Sequence, residues 1–129
     1  MYLFIDTSKD KTIVQILDKH LKIIDSCSRD GQKNQSENLL GLIDKILKKT
    51  GYDKSDISGI FVVSGPGSYT GLRVGVATAN ALSLALGVKV SGVKERPSHS
   101  NIIELEDSDN KVVPFYSYPP KITKNKSRL

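Results

Sequence analysis

Residues 64 to 75 read SGPGSYTGLRVG, a glycine-rich stretch between an apolar run and a long segment of small residues. A glycine loop that opens a helix is a setting in which backbone N–H groups hold phosphate. The spacing fails both common nucleotide signatures. Gly65, Gly67 and Gly71 give G-x-G-x-x-x-G, one residue longer than the dinucleotide fingerprint, and no lysine lies between residues 55 and 88 to complete a P-loop. A weaker anion site remains, with Ser68 or Thr70 capping the next helix and Arg73 nearby. Asp6, followed by Thr7 and Ser8, stands where an α/β enzyme can hold a metal or nucleotide. An aspartate opening a hairpin turn is the plainer reading of the same position. Asp6, Ser68 and Thr70 thus form the candidate nucleotide-binding set.

Other catalytic constellations are missing from the sequence. His20 and His99 sit in separate turn-like segments with no partner at zinc-ligand spacing, so no metal site is expected. No G-x-S-x-G elbow marks a serine nucleophile. Cys27 lies in an apolar, strand-like run and is expected to pack rather than react. Gly71, Gly75 and Ala79 instead recur every fourth residue on one helical stripe. A glycine inside a helix costs roughly 1 kcal/mol relative to alanine, which closer backbone packing can offset. Two readings fit the stripe: approach of a partner helix, or packing on this chain's own sheet.

The elements that must position these residues follow from periodicity. Residues 2 to 6, 12 to 18 and 21 to 28 are short β-rich runs separated by turn-sized polar breaks, as in an antiparallel meander. Leu39, Leu40, Ile43, Ile46 and Leu47 fall at three- and four-residue spacing, which predicts a helix from Asn34 that stops at Gly51. Asn34 and Glu37 have the spacing of a capping box. Residues 57 to 64 (ISGIFVVS) read as a strand buried on both faces. A second helix over 72 to 86, ending at Gly87, and a strand over 88 to 93 complete the series. Strand, helix, strand, helix, strand predicts parallel pairing with helices covering the sheet.

The sequence has 129 residues, one domain's length, with 38% hydrophobic and 26% charged residues. It has no apolar run of membrane-spanning length, and its N-terminus lacks the basic start of a secretory signal. With a lone cysteine, this composition leads to the expectation of a cytoplasmic protein without membrane contact. Net charge is +5, but Lys121, Lys124, Lys126 and Arg128 lie in the last nine residues, leaving 15 basic against 14 acidic residues elsewhere. A nearly neutral body with a basic tail is unlike a nucleic-acid platform, and a solvated tail is the plainer reading.

YLFIDTS at the start, NQSENLLGLIDKILKKTGYDKSDISGI, and GPGSYTGLRVGVATANALSLALGVKVSGV together resemble the TsaB (YeaZ) family over residues 1 to 93. The resemblance implies an α/β fold of the ribonuclease-H-like, actin-like ATPase (ASKHA) type, with a mixed five-stranded sheet and two main helices. It implies a non-catalytic subunit of bacterial tRNA threonylcarbamoyladenosine synthesis, without a cofactor of its own, ATP being used by the complex. The implied partners are a TsaD-type catalytic subunit, a TsaE-type ATPase, tRNA through the complex, and a second copy of the chain.

The family's dimer helices match residues 36 to 50 and 70 to 86. They suggest an interface of Leu39, Ile43, Ile46, Gly71, Leu72, Gly75, Ala79 and Leu82, which Gly75→Leu should disrupt without unfolding the monomer. TsaD has a His-x-x-x-His metal pair near the start of the first helix, where this sequence reads NQSENLL. Many TsaB sequences have His-Ser at Gln35-Ser36. The family's second subdomain is expected to be largely missing. The division read from the sequence is an ASKHA-type subdomain over 1–93, a linker or subdomain remnant over 94–110, and a basic tail over 111–129, which the scaffold reading expects to contact the partner or tRNA.

Overall fold

The computed structural model of the chain describes residues 1–31 and 33–98. Its elements are β1 (Tyr2–Asp6), β2 (Lys11–Leu17), β3 (Ile23–Asp30), α1 (Gln35–Thr50), β4 (Gly59–Val63), α2 (Tyr69–Leu86) and β5 (Lys89–Val93), with a single 3-10 turn at Lys54–Asp56. The strands form one sheet in the order β3-β2-β1-β4-β5. β1, β2 and β3 are the antiparallel meander. β4 and β5 return parallel to β1, with Leu3 beside Ile60 and Ile60 beside Val90. The expected mixed sheet with two helices is therefore present.

Strand alternation divides the apolar side chains between the two sheet faces. Leu3 and Ile5 of β1, Val14 and Ile16 of β2, and Ile60 and Val62 of β4 point toward the helices and are at most 2% exposed. α1 covers β2 and β3, while α2 covers β4, β5 and β1, so both helices lie on this one face and touch each other. Leu39, Ile43, Ile46, Val76 and Ala79 complete the main core from above. Phe4, Leu17, Leu21 and Val63 form a smaller cluster with Leu72, bordered by the half-buried Tyr2, Phe61 and Val93.

The helix ends follow local chemistry. Ser68 caps α2, its Oγ accepting from the Gly71 N–H at 3.1 Å. Gly51 and Gly87 end the two helices in left-handed conformations. The capping box expected at Asn34 is absent: Asn34 itself is left-handed, φ 56°, and its side chain makes no cap bond. A related bond occurs instead at the 3-10 turn, where the Asp53 N–H donates to Asp56 Oδ2 at 2.8 Å. The third sequence run begins late because Leu21, φ 64°, belongs to the β2–β3 turn, leaving β3 to start at Ile23.

Candidate functional site

The carboxyl ends of β1 and β4 lie side by side, where ligands of open α/β sheets commonly bind. Asp6 ends β1, and its Oδ1 accepts from the Ser8 N–H at 2.9 Å and the Ser8 Oγ at 2.6 Å. That geometry is the turn-opening role that competed with nucleotide binding. Thr7 and Ser8 are buried. The Ser8 carbonyl accepts from the Ser68 N–H at 2.9 Å, and Thr7 Oγ1 donates to the Gly71 carbonyl. Asp6, Thr7 and Ser8 thus fasten β1 to the start of α2. Ser68 is half-buried as the cap, whereas Thr70 is exposed and does not serve as one.

The glycines take their meaning from the same contact. A Cβ on Gly71 would lie closer than 3.0 Å to the Thr7 carbonyl oxygen, and one on Gly75 equally close to Thr7 Oγ1. Gly67 meets Ser8 in the same way. The space left by the missing side chains is filled by this chain's own β1 end. The sequence reading that gave Gly71 and Gly75 to a partner helix is corrected here. Gly75→Leu is accordingly not a clean interface probe, because it strikes the monomer's own interior.

The remaining proposed interface residues divide by burial. Leu39, Ile46, Leu72 and Ala79 are 0% exposed and Ile43 is 2%, so all five fill the chain's own interior. They are corrected from interface to core. Leu82 is half-buried against the main cluster. Lys121, Lys124, Lys126 and Arg128 lie outside the described residues, as does most of the proposed linker and all of the tail.

The outward faces of the helices were missed by following the glycine stripe. Ala77, Ala81, Leu84 and Ala85 are exposed along α2, Leu84 at 87%. They are separated by four, three and one residues, which places them on one helical side. Arg73 is the one charged residue of α2, and its guanidinium stacks over Tyr69, 5.4 Å from the ring centre, while donating to the Tyr69 Oη at 2.9 Å. On α1, Leu40 is 50% exposed beside exposed Gly41. The signal was present in the sequence: Ala77 stands two residues, about 200° of helical rotation, from Gly75.

Gln35 is a second residue that spacing alone did not single out as structural. It is 3% exposed, and its Nε2 donates to Thr12 Oγ1 at 3.1 Å and to the Thr7 carbonyl at 3.4 Å. It thereby joins the first turn of α1 to the ends of β1 and β2. Among the described residues no three His, Cys, Asp or Glu side chains are grouped to hold a metal ion. No helix among them is long and apolar enough to cross a membrane.

Comparison with known proteins places this architecture. The family described as TsaD, tRNA N6-adenosine threonylcarbamoyltransferase, matches residues 28–117. YeaZ from Pseudomonas aeruginosa superposes with a TM-score of 0.64 at 25% identity, covering 72% of this chain and 44% of that one. The TsaB protein of Buchnera aphidicola subsp. Schizaphis graminum is 33% identical over 91 residues, 70% of this chain and 42% of the relative. The chain belongs to the TsaD family, as a TsaB/YeaZ member. TsaD-named relatives match too: tRNA N6-adenosine threonylcarbamoyltransferase of Geotalea uraniireducens is 40% identical over 72 residues, 56% of this chain and 21% of that protein. This TsaB/YeaZ member therefore spans less than half the length of the relatives named here. Its sheet and helices have the ASKHA-type architecture expected from the sequence.

Proposed function

We propose that this chain acts in tRNA threonylcarbamoyladenosine biosynthesis as a non-catalytic docking subunit. The outer sides of α1 and α2 seat against a TsaD-type catalytic subunit in a shared helical bundle. The observation that carries this reading is the uncharged outer stripe of α2: Ala77, Ala81, Ala85 and an 87% exposed Leu84. Small side chains let a second helix approach closely, and Leu84 supplies apolar area that water otherwise covers. Close packing thus remains central, but on the stripe opposite Gly71 and Gly75. A second copy of the chain would use the same surface when the partner is absent. A TsaE-type ATPase and tRNA would join through the complex, with ATP consumed there.

The competing reading is a small ATPase using Asp6, Ser68 and Thr70. Against it, Asp6 Oδ1 and the Ser68 Oγ already accept hydrogen bonds within the chain, and the space at Gly67 and Gly71 is taken by Ser8 and Thr7. Co-purification with the TsaD-type protein of the same organism separates the two. Ala81→Glu with Leu84→Glu should abolish the complex while leaving the chain folded. Retention of the complex by that folded variant rejects the docking surface, and ATP hydrolysis by the chain alone favours the enzyme.

A further inference from the structure

The β2–β3 turn and the segment leaving β5 enclose a groove. His20, Leu21, Lys22, Ile23, Arg96 and Ser98 line it, around a cavity of about 310 Å³. Its shape is held from both sides. Asp18 Oδ1 accepts from the His20 and Lys22 N–H groups at 2.8 and 3.0 Å, fixing the turn. Arg96 Nη1 donates to the Leu21 carbonyl at 3.0 Å, tying the segment after β5 across to that turn, and Pro97 is buried. Beside the groove, β3 is an edge strand with two apolar side chains toward solvent, Ile23 at 46% and Ile24 at 41% exposure. Such an edge ordinarily needs a cover.

We propose that this groove is the docking site for the chain's own residues 102–109, IIELEDSD. Three observations select this occupant. The first is reach: Ser98 forms part of the wall, and Ile102 is four residues on, a span of at most about 14 Å. The second is chemistry, because Ile102, Ile103 and Leu105 match the apolar floor of Leu21 and Ile23. Glu104, Glu106, Asp107 and Asp109 match a lining that carries Lys22 and Arg96. The third is extent: the family match runs to residue 117, so this segment falls inside the related region. The apolar contacts supply most of the binding, the opposed charges fix its register so that reversing one sign sets like charges face to face, and the covalent link makes the docking intramolecular.

The test labels Ile23→Cys with a maleimide in the full chain carrying Cys27→Ala. Replacing Ile102, Ile103 and Leu105 together by serine should speed labelling about tenfold, with circular dichroism unchanged. Lys22→Glu should also speed it, and Glu104→Lys with Glu106→Lys should restore the slow rate. These charge changes alter exposed or flanking positions, so they decide the matter even if the triple serine variant loses its fold. Equal labelling rates in the parent and charge-changed chains overturn the proposal. Protection that disappears on dilution also overturns it, by assigning the groove to a second copy.

Discussion

Thr7 explains why two helical positions tolerate no side chain. The Thr7 carbonyl oxygen and Oγ1 occupy the places that a Cβ on Gly71 and on Gly75 would need. Alanine normally stabilises an exposed helix position by about 1 kcal/mol over glycine, so an ordinary site would gain from the exchange. Here overpacking, typically about 1 to 3 kcal/mol, opposes that gain. The obstacle at Gly75 is a side-chain hydroxyl, whereas the obstacle at Gly71 is main chain. Gly71→Ala should therefore lower the thermal midpoint more than Gly75→Ala, both being measured by calorimetry. Thr7→Ala should rescue part of the Gly75→Ala loss and none of the Gly71→Ala loss. Equal effects in all backgrounds would remove Thr7 as the cause.

At the scale of elements, two termini depend on single polar side chains. Ser68→Ala removes the acceptor for the Gly71 N–H and should cost about 1 kcal/mol, readable as a reduced denaturant midpoint. The β2–β3 turn depends on Asp18, whose carboxyl is held below its ordinary value of 3.8, chiefly by the Lys22 N–H, with the His20 N–H assisting. Because the folded pKa is the lower one, the turn's contribution is complete above the unfolded pKa and is lost as pH falls through the folded pKa. Acidification below the ordinary carboxylate range should accordingly expose the His20 and Lys22 amides to hydrogen exchange. Asp18→Asn should make that exchange independent of this titration. Most of these elements were legible, because three- and four-residue apolar spacing and short β-rich runs bounded by turn residues report burial directly. The Asn34 cap was not, since the same asparagine that can cap a helix also adopts left-handed backbone, and only the chain path decides which. The glycine stripe was legible as a demand for close approach, but its neighbour was not. Thr7 is 64 residues from Gly71, and no local pattern connects them.

For the whole molecule, the decisive division is between apolar residues that build the monomer and those left on its helical exterior. Leu39, Ile43 and Ile46 repeat at helical spacing and read equally well as core or as partner surface, until the sheet supplies the other side of the contact. Ala81 and Leu84 lie in an equally apolar helix, yet the chain leaves them outside. This predicts opposite signatures from two sets of substitutions. Ile46→Ala opens space in a 0% exposed site and should cost about 2 to 5 kcal/mol of stability. Ala81→Glu and Leu84→Glu alter exposed positions and should each change stability by no more than about 0.5 kcal/mol. Association should rank the other way: Ile46→Ala, assayed below its melting range, should still bind the TsaD-type subunit, while the glutamate variants should not. Chemical denaturation and sedimentation of the mixed proteins measure the two quantities on the same preparations. If Ala81→Glu and Leu84→Glu lower stability as Ile46→Ala does, their stripe belongs to the monomer's interior, and the bundle must be sought elsewhere. If they spare both stability and association, the apolar exterior of α2 has no part in joining the subunits.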